Sequence, residues 1–458
     1  MTTPTVVLNL VALSHSLLQS RAPNLQKYIG RYGARELVPV LPAVTSTVQS
    51  SMLTGLPPSK HGIVGNGWYE RSLDEVRFWK QSNAIVEGKK VWDDISVGGG
   101  TTANLFWWFN MNTRADMTVT PRPMYVEDGR KIPDIHTKPA ELREELQGQL
   151  GQFPLFSFWG PASSIRSSQW IADAAKTIFA AKRPDLMLVY LPHLDYALQQ
   201  FGPDDPRAHH AVSEIDQVFG DLLTFFEDAK AQVICVNEYG IEPVHTAVAP
   251  NQILRHEGLL SIRDELSGER LDTSLSQAFA VVDHQVAHVY TTNDRVLDRC
   301  KTIFTNTPGI AEVLDRTGQE KVGLNHARSG DLVLISDPGF WFTYDYWINN
   351  SDAPGFARQV DIHSKPGYDP RELFLDPAIR FPKLKVGMHL LKQRLGLRST
   401  LRVIPLDTSL VKGSHGRIDQ EEGRRPLIIT PHQTGSDSKR VPCTDVRQII
   451  LDHCAASS

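Results

Sequence analysis

The chain has 458 residues, of which 41% are hydrophobic and 22% charged, and its formal net charge is −4 at pH 7. These proportions are typical of a folded globular protein and exclude an intrinsically disordered chain. The small net charge gives no basic field that would favour nucleic acid or an anionic membrane, so any anionic substrate must be bound by a local site. Four scattered cysteines without a C-x-x-C pattern argue against a disulfide scaffold and a four-cysteine zinc site.

An apolar run opens the chain. Residues 5–13 read TVVLNLVAL, which is typical of a strand buried on both faces of a parallel sheet. The surrounding residues lack the basic start and the small-residue cleavage site of a secretory signal. No run of about 18 apolar residues occurs in the sequence. We therefore expect a cytoplasmic protein without a membrane span.

Two further apolar runs, residues 186–191 (LMLVYL) and 232–236 (QVICV), have the same character. Each follows a helical pattern, which spans residues 170–181 in the first case and 212–231 in the second. This alternation predicts an α/β fold with a mostly parallel central sheet between helices. Ligands of such folds bind beyond the carboxyl ends of the strands. We expect the functional residues in the loops that follow these strands and around Thr45.

Two regions interrupt the alternation of strands and helices. Residues 106–161 are rich in aromatic residues and proline, which predicts a cap insertion, either structural or serving as a lid or substrate wall. Residues 280–407 mix strand-like runs with the loop DIHSKPGYDP and predict a second insertion or an elaborated sheet edge. We expect residues 1–458 to form one α/β domain that carries both regions.

The segment LPAVTSTVQSSMLTGLPPSKHGIVGNGWY, residues 41–69, places many hydroxyl groups at the start of a predicted helix. Such hydroxyls commonly cap backbone amides. Alternatively, the amides and the helix dipole bind an anion, and one hydroxyl attacks phosphorus. Because a neutral threonine is a weak nucleophile, this second hypothesis requires a metal or a base nearby.

Acidic and imidazole side chains follow the predicted strands where this hypothesis needs them. His193 and Asp195 come directly after residues 186–191, and Glu238 comes after residues 232–236. His415 lies in a later loop, SHG. Together with the hydroxyl-rich helix start, these side chains indicate a metal-assisted phosphoryl-transfer site.

Residues 41–69 resemble the nucleophile segment of the nucleotide pyrophosphatase/phosphodiesterase group in the alkaline phosphatase superfamily. The matching positions are Pro42, Thr45, Thr54, Gly55, Pro57, His61, Gly62, Ile63, Gly65 and Asn66. The later motifs occur in the same order, so the resemblance covers most of the chain. It implies an alkaline-phosphatase-like α/β fold and identifies Thr45 as the residue that is transiently phosphorylated.

The resemblance also implies two zinc ions, but this sequence changes several of the expected ligands. Asp195 and His415 are kept, and Glu238 stands where an aspartate is expected. Three expected ligands are replaced and fall at Val11, Gln199 and Tyr239. The asparagine expected three residues after the nucleophile falls at Val48, and Gln49 beside it is a candidate amide donor.

Three interpretations of these changes remain open. In the first, one metal is held by Asp195 and His415. In the second, new loops supply ligands, and the candidates are two Asp–His pairs, Asp283 with His284 and Asp361 with His363 in the D-I-H triplet. In the third, the site is degenerate and binds without turnover. A lone Asp–His pair is more often a hydrogen-bonded loop than a metal site, and we expect His288, in a strand-like run, to belong to the core.

The leading hypothesis is a metal-dependent hydrolase of phosphoric esters or anhydrides that uses zinc, or else manganese or magnesium. The alternatives are a degenerate binding protein and a superfamily hydrolase that acts on a phosphonate or sulfate ester. We expect a small phosphorylated substrate and no nucleic-acid partner, and the sequence leaves the oligomeric state open. The candidate substrate-binding residues are Gln49, Asn66, Trp68, Trp107 and Asn110.

Overall fold

The fold is that of a computed structural model, which describes residues 3–18, 21–127, 130–397, 399–418, 421–432 and 438–455. The strands are β1 (Thr5–Leu10), β2 (Arg35–Val38), β3 (Gly67–Glu70), β4 (Glu75–Phe78), β5 (Thr102–Leu105), β6 (Met117–Pro121), β7 (Met124–Tyr125), β8 (Lys131–Ile132), β9 (Ile135–Lys138), β10 (Leu186–Leu191), β11 (Gln232–Val236), β12 (Glu242–Pro243), β13 (Thr246–Val248), β14 (Ile262–Glu265), β15 (Gly268–Leu271), β16 (Ala278–Asp283), β17 (Val286–Thr291), β18 (Ile310–Leu314), β19 (Leu332–Ser336), β20 (Phe340–Phe342), β21 (Gly413–Ser414), β22 (Leu427–Ile429) and β23 (Arg440–Pro442).

Helices alternate with the strands through most of the chain. They are α1 (His15–Leu18), α2 (Pro23–Tyr32), α3 (Thr45–Thr54), α4 (Pro58–His61), α5 (Val91–Val97), α6 (Leu142–Leu150), α7 (Leu155–Phe158), α8 (Ile165–Lys182), α9 (His193–Phe201), α10 (Pro206–Asp228), α11 (Pro250–His256), α12 (Asp294–Thr305), α13 (Arg316–Lys321), α14 (Pro382–Arg394) and α15 (Val446–Ala455). None of the described helices is long and apolar enough to cross a membrane.

Nine strands form the central sheet, in the order β23-β2-β22-β11-β1-β10-β5-β6-β9. Strand β1 lies parallel to both β10 and β11, and β5 continues the parallel run beyond β10. Every residue of β1 and β10 is buried, which explains their continuous apolar sequences. The parallel register brings the ends of β1, β10 and β11 to one edge, where the site lies.

A second, four-stranded antiparallel sheet has the order β16-β17-β19-β18 and begins two residues before the range 280–407 that was predicted as the second insertion. It has its own hydrophobic core, which includes Phe279, Tyr290, Phe304 and Trp347. The run FWFTYDYW reads as one strand in the sequence, but only Phe340–Phe342 form β20. The remaining residues turn inward, and Tyr344 and Tyr346 pack into this core.

The range 106–161, predicted as a cap insertion, contributes two strands to the central sheet. Strands β6 and β9 belong to it, and they extend the central sheet at one edge. Phe106, Trp107 and Phe153 are buried in the main core, where Phe106 and Phe153 lie 4.9 Å apart between ring centroids. This aromatic-rich region is therefore partly a continuation of the central sheet and its core.

A buried ion network lies beside the second core, where the Tyr344 hydroxyl donates to Asp369 at 3.4 Å. The guanidinium of Arg371, which is 0% exposed, donates to both carboxylate oxygens of Asp345 at 2.8 and 2.6 Å. It also donates to Asp369 at 2.7 Å, and the Lys365 ammonium lies between Asp369 and Glu372. Charges can be buried here because each has an opposite partner and further hydrogen bonds.

We expect Asp345→Ala to lower the free energy of unfolding by about 3–5 kcal/mol, because it leaves the buried Arg371 charge with too little compensation. Urea denaturation followed by circular dichroism measures the change. The control is Arg31→Ala, which removes the surface pair with Glu227, whose side chains are 61% and 42% exposed. It should cost less than about 1 kcal/mol, and equal losses in both variants would contradict the importance of the buried pair.

The same network predicts a dependence of stability on pH. Burial raises the pKa of Asp369, but the charges of Arg371 and Lys365 more than offset burial and lower it to about 2. A carboxylate whose pKa is lowered by folding stabilises the fold at pH values above its ordinary pKa of 3.8. This contribution is lost as the pH falls toward the folded-state pKa of about 2. The stability difference between the wild type and Asp369→Asn should therefore shrink between about pH 4 and 2, as measured by urea denaturation. A difference that stays constant would refute this assignment.

Candidate active site

Thr45 is the first residue of α3, and its side chain reaches the inner end of a large cavity. The preceding residue, Val44, is extended and gives the helix no side-chain cap. The Thr45 hydroxyl lies 3.1 Å from the Tyr239 hydroxyl. The sequence prediction of a hydroxyl at a helix start is confirmed, and Thr45 is the α3 hydroxyl that lines the cavity in the described part of the chain.

The other hydroxyls of α3 are buried rather than exposed on the helix surface. Ser50 donates to the carbonyl of Ser46 at 2.7 Å, and Thr54 donates to the carbonyl of Ser50 at 2.6 Å. Ser51 lies 2.8 Å from His61 Nε2, while His61 Nδ1 accepts from the amide of Ile63 at 3.1 Å. Ser50, Ser51 and Thr54 are thus bonded within this segment, whereas the hydroxyls of Ser46 and Thr47 have no partner among the described residues. His61 bonds both α3 and the turn that follows it.

The Gly65-Asn66 pair connects the nucleophile segment to the second sheet. The Asn66 side chain accepts from the backbone amide of Ser46 at 2.9 Å and donates to Asp283 at 3.1 Å. A Cβ atom on Gly65 would lie 3.2 Å from Asp283 and 3.0 Å from the Gly67 carbonyl. Glycine is needed there because the backbone approaches Asp283 closely.

Glu238 follows β11 and lies behind Thr45. Its Oε1 accepts amide hydrogen bonds from Gln49 at 2.5 Å and Asn9 at 2.7 Å, whereas Oε2 is buried without a partner among the described residues. Burial raises its pKa to about 8, although the amide donors lower it. The Gln49 carbonyl oxygen accepts from the Trp108 amide at 2.6 Å, so both ends of Gln49 are already bonded to protein.

Asp195 lies in the first turn of α9, just beyond β10, and both of its oxygens accept hydrogen bonds. The Gln199 amide donates to Oδ2 at 2.8 Å, and the Tyr239 hydroxyl donates to Oδ1 at 3.3 Å. Burial raises the pKa of Asp195 to about 7, against the effect of these donors. Gln199 and Tyr239, which stand at expected ligand positions, therefore act here as hydrogen-bond donors to the retained carboxylate.

Four rings form a column beside Asp195, in the order Tyr239, His415, His284 and Tyr368. Successive ring centroids lie 3.6, 3.7 and 3.6 Å apart. Burial holds the pKa of both imidazoles well below the ordinary value, so both rings are neutral near pH 7. This column brings His284, a candidate from a distant loop, next to His415.

The hydrogen bonds of the two imidazoles match those of metal-binding histidines. His415 Nδ1 lies 2.8 Å from the carbonyl of Ala43, and His284 Nδ1 lies 2.8 Å from Asp283. The Nε2 atom of each ring is buried and has no hydrogen-bond partner in the part of the chain that the structure describes. A histidine ligand usually donates one N–H to such an oxygen and offers the other nitrogen to the metal.

Candidate donor atoms are closest to one another around His415. His415 Nε2 lies 3.9 Å from Asp195 Oδ1, and His284 adds a second unpartnered nitrogen. At the other expected site, Glu238 is the acidic side chain, but Tyr239 points its hydroxyl at Asp195. Within the described ranges, no group of three or more His, Cys, Asp and Glu side chains is gathered closely enough to hold a metal ion in this arrangement.

The cavity above Thr45 has a volume of about 710 Å³ and is mainly apolar. Thr45, Asp195, Tyr239, His284 and His415 line its inner end. Aromatic side chains form much of its wall, namely Trp79, Trp108, Tyr125, Phe156, Phe158, Trp159, Tyr190, Tyr196 and Tyr368. The aromatic surface that the sequence suggested therefore exists, but it is built mostly from residues that sequence reasoning did not select.

Several predicted site residues lie away from this cavity. Trp68 and Trp107 are 3% and 0% exposed and pack in hydrophobic cores. Asn110 is buried and donates to the carbonyls of Asn104 and Val119. These three residues were predicted to contact substrate, but they do not line the cavity. Trp68 and Trp107 pack in hydrophobic cores, and Asn110 bonds backbone carbonyls. His288 is buried, and its nitrogens bond the backbone of Val64 and Gly330, as expected for a core residue.

His363 lines the cavity but is not part of the ring column. Its Nδ1 lies 3.4 Å from the carbonyl of Phe78. Asn66 and Gln49 lie beside Thr45, but both are held by protein hydrogen bonds. The D-I-H triplet is thus a loop at the cavity wall, whereas the Asp283-His284 pair is the one that reaches His415.

The family model described as type I phosphodiesterase/nucleotide pyrophosphatase matches residues 5–369. An uncharacterized pyrophosphatase/phosphodiesterase of Schizosaccharomyces pombe is 25% identical over 219 residues, which are 45% of this chain and 38% of that protein. An ectonucleotide pyrophosphatase/phosphodiesterase of Caenorhabditis elegans is 21% identical over 367 residues, which are 78% of this chain and 39% of that protein. The matches thus span about two fifths of the length of these relatives.

Solved structures share the fold at low identity. Phosphonoacetate hydrolase from Sinorhizobium meliloti, in complex with phosphonoformate, has a TM-score of 0.62 and 14% identity, covering 100% of this chain and 96% of that chain. Murine ectonucleotide pyrophosphatase/phosphodiesterase 5, an inactive form in complex with AMP, has a TM-score of 0.59 and 14% identity, covering 99% and 95%. The α/β fold with its mostly parallel sheet therefore matches alkaline-phosphatase-like structures.

Proposed function

Because the chain belongs to the type I phosphodiesterase/nucleotide pyrophosphatase family, we propose that it hydrolyses phosphoric esters or anhydrides at Thr45. The observation that carries this proposal is the position of the Thr45 hydroxyl at the start of a helix and at the inner end of the cavity. A helix start attracts an anionic group, which would hold a phosphoryl group beside the hydroxyl.

In the proposed reaction the Thr45 oxygen attacks phosphorus, an O–P bond forms, and the bond to the leaving oxygen breaks. The departing oxygen takes up a proton, and water then attacks the phosphorylated Thr45 to release the product and restore the hydroxyl. The Thr45 proton has a path along two hydrogen bonds, first to the Tyr239 oxygen and then from Tyr239 to Asp195. Tyr239 thus connects the nucleophile to a buried carboxylate.

His284, His415 and Asp195 would hold a divalent metal ion in this proposal. The two unpartnered imidazole nitrogens and the neutral state of both rings support this choice. When bound, a divalent cation supplies positive charge that stabilises the charge developing on the phosphoryl oxygens. The metal is zinc, manganese or magnesium, and two imidazoles with one carboxylate favour zinc among these.

The apolar wall suggests a substrate that carries an apolar group besides its phosphoryl group. An inner end with polar and titratable side chains suits the phosphoryl group, and the aromatic wall suits the remainder of the molecule. Aromatic side chains such as Trp108, Trp159 and Tyr368 contribute a large part of that wall. We therefore expect diesters with an aromatic or hydrocarbon substituent to be preferred over small monoesters.

Hydrolysis assays test this function directly. We expect turnover of bis-p-nitrophenyl phosphate and p-nitrophenyl phenylphosphonate with added Zn²⁺ or Mn²⁺, and kcat/KM about tenfold or more higher than for p-nitrophenyl phosphate. Chelation with EDTA should abolish the activity, and the metal should restore it. Absence of turnover of every ester under all metal conditions would overturn the proposal.

One observation favours a non-catalytic alternative. Both oxygens of Asp195 are already occupied by Gln199 and Tyr239, as in a site that keeps its fold but has lost metal ligands. A degenerate binding protein of this kind would bind a phosphorylated or phosphonylated ligand without releasing p-nitrophenol. Calorimetric binding of phenyl phosphonate in the absence of any turnover would support this alternative over the hydrolase.

A further inference from the structure

The segment of residues 379–397, which contains α14, combines cations with apolar side chains. Its sequence, IRFPKLKVGMHLLKQRLGL, contains five Lys and Arg residues and no Asp or Glu. The net charge of the whole chain is −4, so this concentration of positive charge is local. We call residues 379–397 the basic apolar segment.

Helix α14 has apolar side chains on two sides. Val386, His389 and Leu390 line the cavity, so this side of the helix forms part of the substrate wall. Leu384, Met388 and Leu391 follow a spacing of four and three residues, which places them on one other face of the helix. A helix that is apolar on two sides is usually covered on both.

The outward face is not covered by the described part of the chain. The large apolar side chains of the segment that are at least half exposed are Phe381 (61%), Leu384 (59%), Met388 (50%), Leu390 (52%), Leu391 (57%), Leu395 (67%) and Leu397 (55%). They are seven of the seventeen exposed large apolar side chains identified among the described residues. An exposed apolar cluster of this size marks an interaction surface.

The cations of the segment are directed to solvent rather than paired. Arg380, Lys383, Lys392 and Arg394 are exposed, and no ion pair joins them to a carboxylate of the described residues. The Lys385 ammonium donates to the carbonyl of Arg402 at 2.5 Å. The partner that covers the apolar face must therefore also tolerate or attract several positive charges.

Charge decides among the possible partners. A second copy of this chain would place equal clusters of cations face to face, which is unfavourable at contact distance. An anionic lipid surface offers both a negative surface potential and an apolar interior within reach of the same helix. Interfacial helices have this combination of Lys and Arg with Phe and Leu.

The mouth of the cavity lies next to this surface. Tyr125, Phe156, Leu375 and Leu390 line the cavity and are 66%, 56%, 43% and 52% exposed, so they form an apolar rim. Leu390 belongs both to the rim and to α14. A lipid surface that contacts α14 would therefore also lie against the cavity entrance.

We propose that the basic apolar segment docks the protein on an anionic lipid surface, with the outward face of α14 in the interfacial region and the cavity mouth beside it. This surface provides a function that neither the fold nor the phosphoryl site requires. It does not depend on Thr45 or on a bound metal, so failure of the proposed hydrolysis would leave it intact.

Vesicle flotation of the full chain tests the proposal. We expect the partition coefficient to be about tenfold or more higher for phosphatidylcholine vesicles with about 30 mol% phosphatidylserine than for pure phosphatidylcholine. Raising the salt concentration from about 0.1 M to about 0.5 M should weaken this binding, because the attraction is partly electrostatic. Equal binding to both vesicles, or no binding to either, would overturn the proposal.

Two sets of variants separate the apolar and charged contributions. The triple variant Leu384→Ser, Met388→Ser and Leu391→Ser and the triple variant Lys383→Glu, Lys392→Glu and Arg394→Glu should each lower the partition coefficient about tenfold. Each variant has a matched control that alters exposed residues elsewhere. The apolar control is the triple variant Val97→Ser, Leu266→Ser and Leu275→Ser. The charge control is the triple variant Lys27→Glu, Lys89→Glu and Lys182→Glu. Circular dichroism verifies that each variant folds.

The remaining outcomes point to other partners and would reject the lipid surface. One is equal loss of binding in the control variants. A second is a dimer in sedimentation velocity that the Leu384, Met388 and Leu391 changes abolish, without vesicle binding by the wild type. A third is binding to polyglutamate but not to anionic vesicles, which would indicate an acidic polypeptide.

Discussion

Thr45→Ala should lower kcat for phosphodiester hydrolysis by about three orders of magnitude or more, because it removes the atom that attacks phosphorus. The hydroxyl contacts Tyr239 and lines the cavity, so its loss deletes both the nucleophile and the start of the proton path. The measurement is initial-rate hydrolysis of bis-p-nitrophenyl phosphate with metal present. Mass spectrometry of acid-quenched enzyme should also find a phosphoryl adduct on the peptide that contains Thr45.

Two variants of the same helix serve as controls. Thr45→Ser keeps a hydroxyl and should retain measurable turnover. Thr47→Ala makes the same substitution two residues away, at a buried hydroxyl without a hydrogen-bond partner in the described ranges, and should leave kcat within about threefold of the wild type. Turnover by Thr45→Ala within about tenfold of the wild type would reject Thr45 as the nucleophile.

His284→Ala and His415→Ala should each lower Zn²⁺ affinity by about 100-fold or more, because each removes an imidazole nitrogen proposed as a ligand. Even the loss of a residue that only orients a metal ligand typically lowers metal affinity by about 10–100-fold. Asp283→Asn should fall within that smaller range, since Asp283 accepts a hydrogen bond from His284. Isothermal titration calorimetry of metal-free protein gives the affinities, and elemental analysis gives the number of ions per chain.

His363→Ala is the matched control for the metal prediction. It removes a histidine that lines the same cavity but contacts the carbonyl of Phe78 rather than the ring column. Its Zn²⁺ affinity should equal that of the wild type, with one ion bound per chain. Loss of binding in His363→Ala and retention in His284→Ala would instead place the metal at the D-I-H loop.

Three inner strands of the central sheet were predictable because they are buried almost throughout on both faces. The runs at residues 5–13, 186–191 and 232–236 contain β1, β10 and β11, although the first strand ends at Leu10. The helical pattern at 212–231 was shifted, since α10 spans Pro206–Asp228 and begins with Asp205 as its cap. A buried strand is recognised in the sequence by its run of apolar residues. The ends of a helix depend on local capping residues and are therefore harder to place.

Long-range contacts in the site were less predictable. The Asp283-His284 pair was one of two candidates, and its sequence spacing alone did not distinguish it from the D-I-H triplet. The choice depends on β16 and β17, which bring residue 284 to the end of the central sheet beside His415. Similarly, Trp107 and Trp108 are adjacent in sequence, yet Trp107 is in the core and Trp108 lines the cavity.

Whole-chain charge was also a poor guide to local surfaces. A net charge of −4 suggested no basic field, while residues 379–397 contain five cations and no acidic residue. That composition was visible in the sequence, but exposure of its apolar side chains was not. Only the packing of α14 against the cavity shows which leucines remain uncovered.

The sequence by itself determined the α/β class, the position of Thr45 at a helix start and the retention of Asp195 and His415 near strand ends. These features are local, since they follow from buried runs, turn residues and motif spacing. The tertiary structure alone decided that Gln199 and Tyr239 donate to Asp195, that His284 stacks on His415, and that an apolar cavity leads to Thr45. Those contacts join residues far apart in the chain, and their geometry is fixed only when the two sheets and the loops between them pack together.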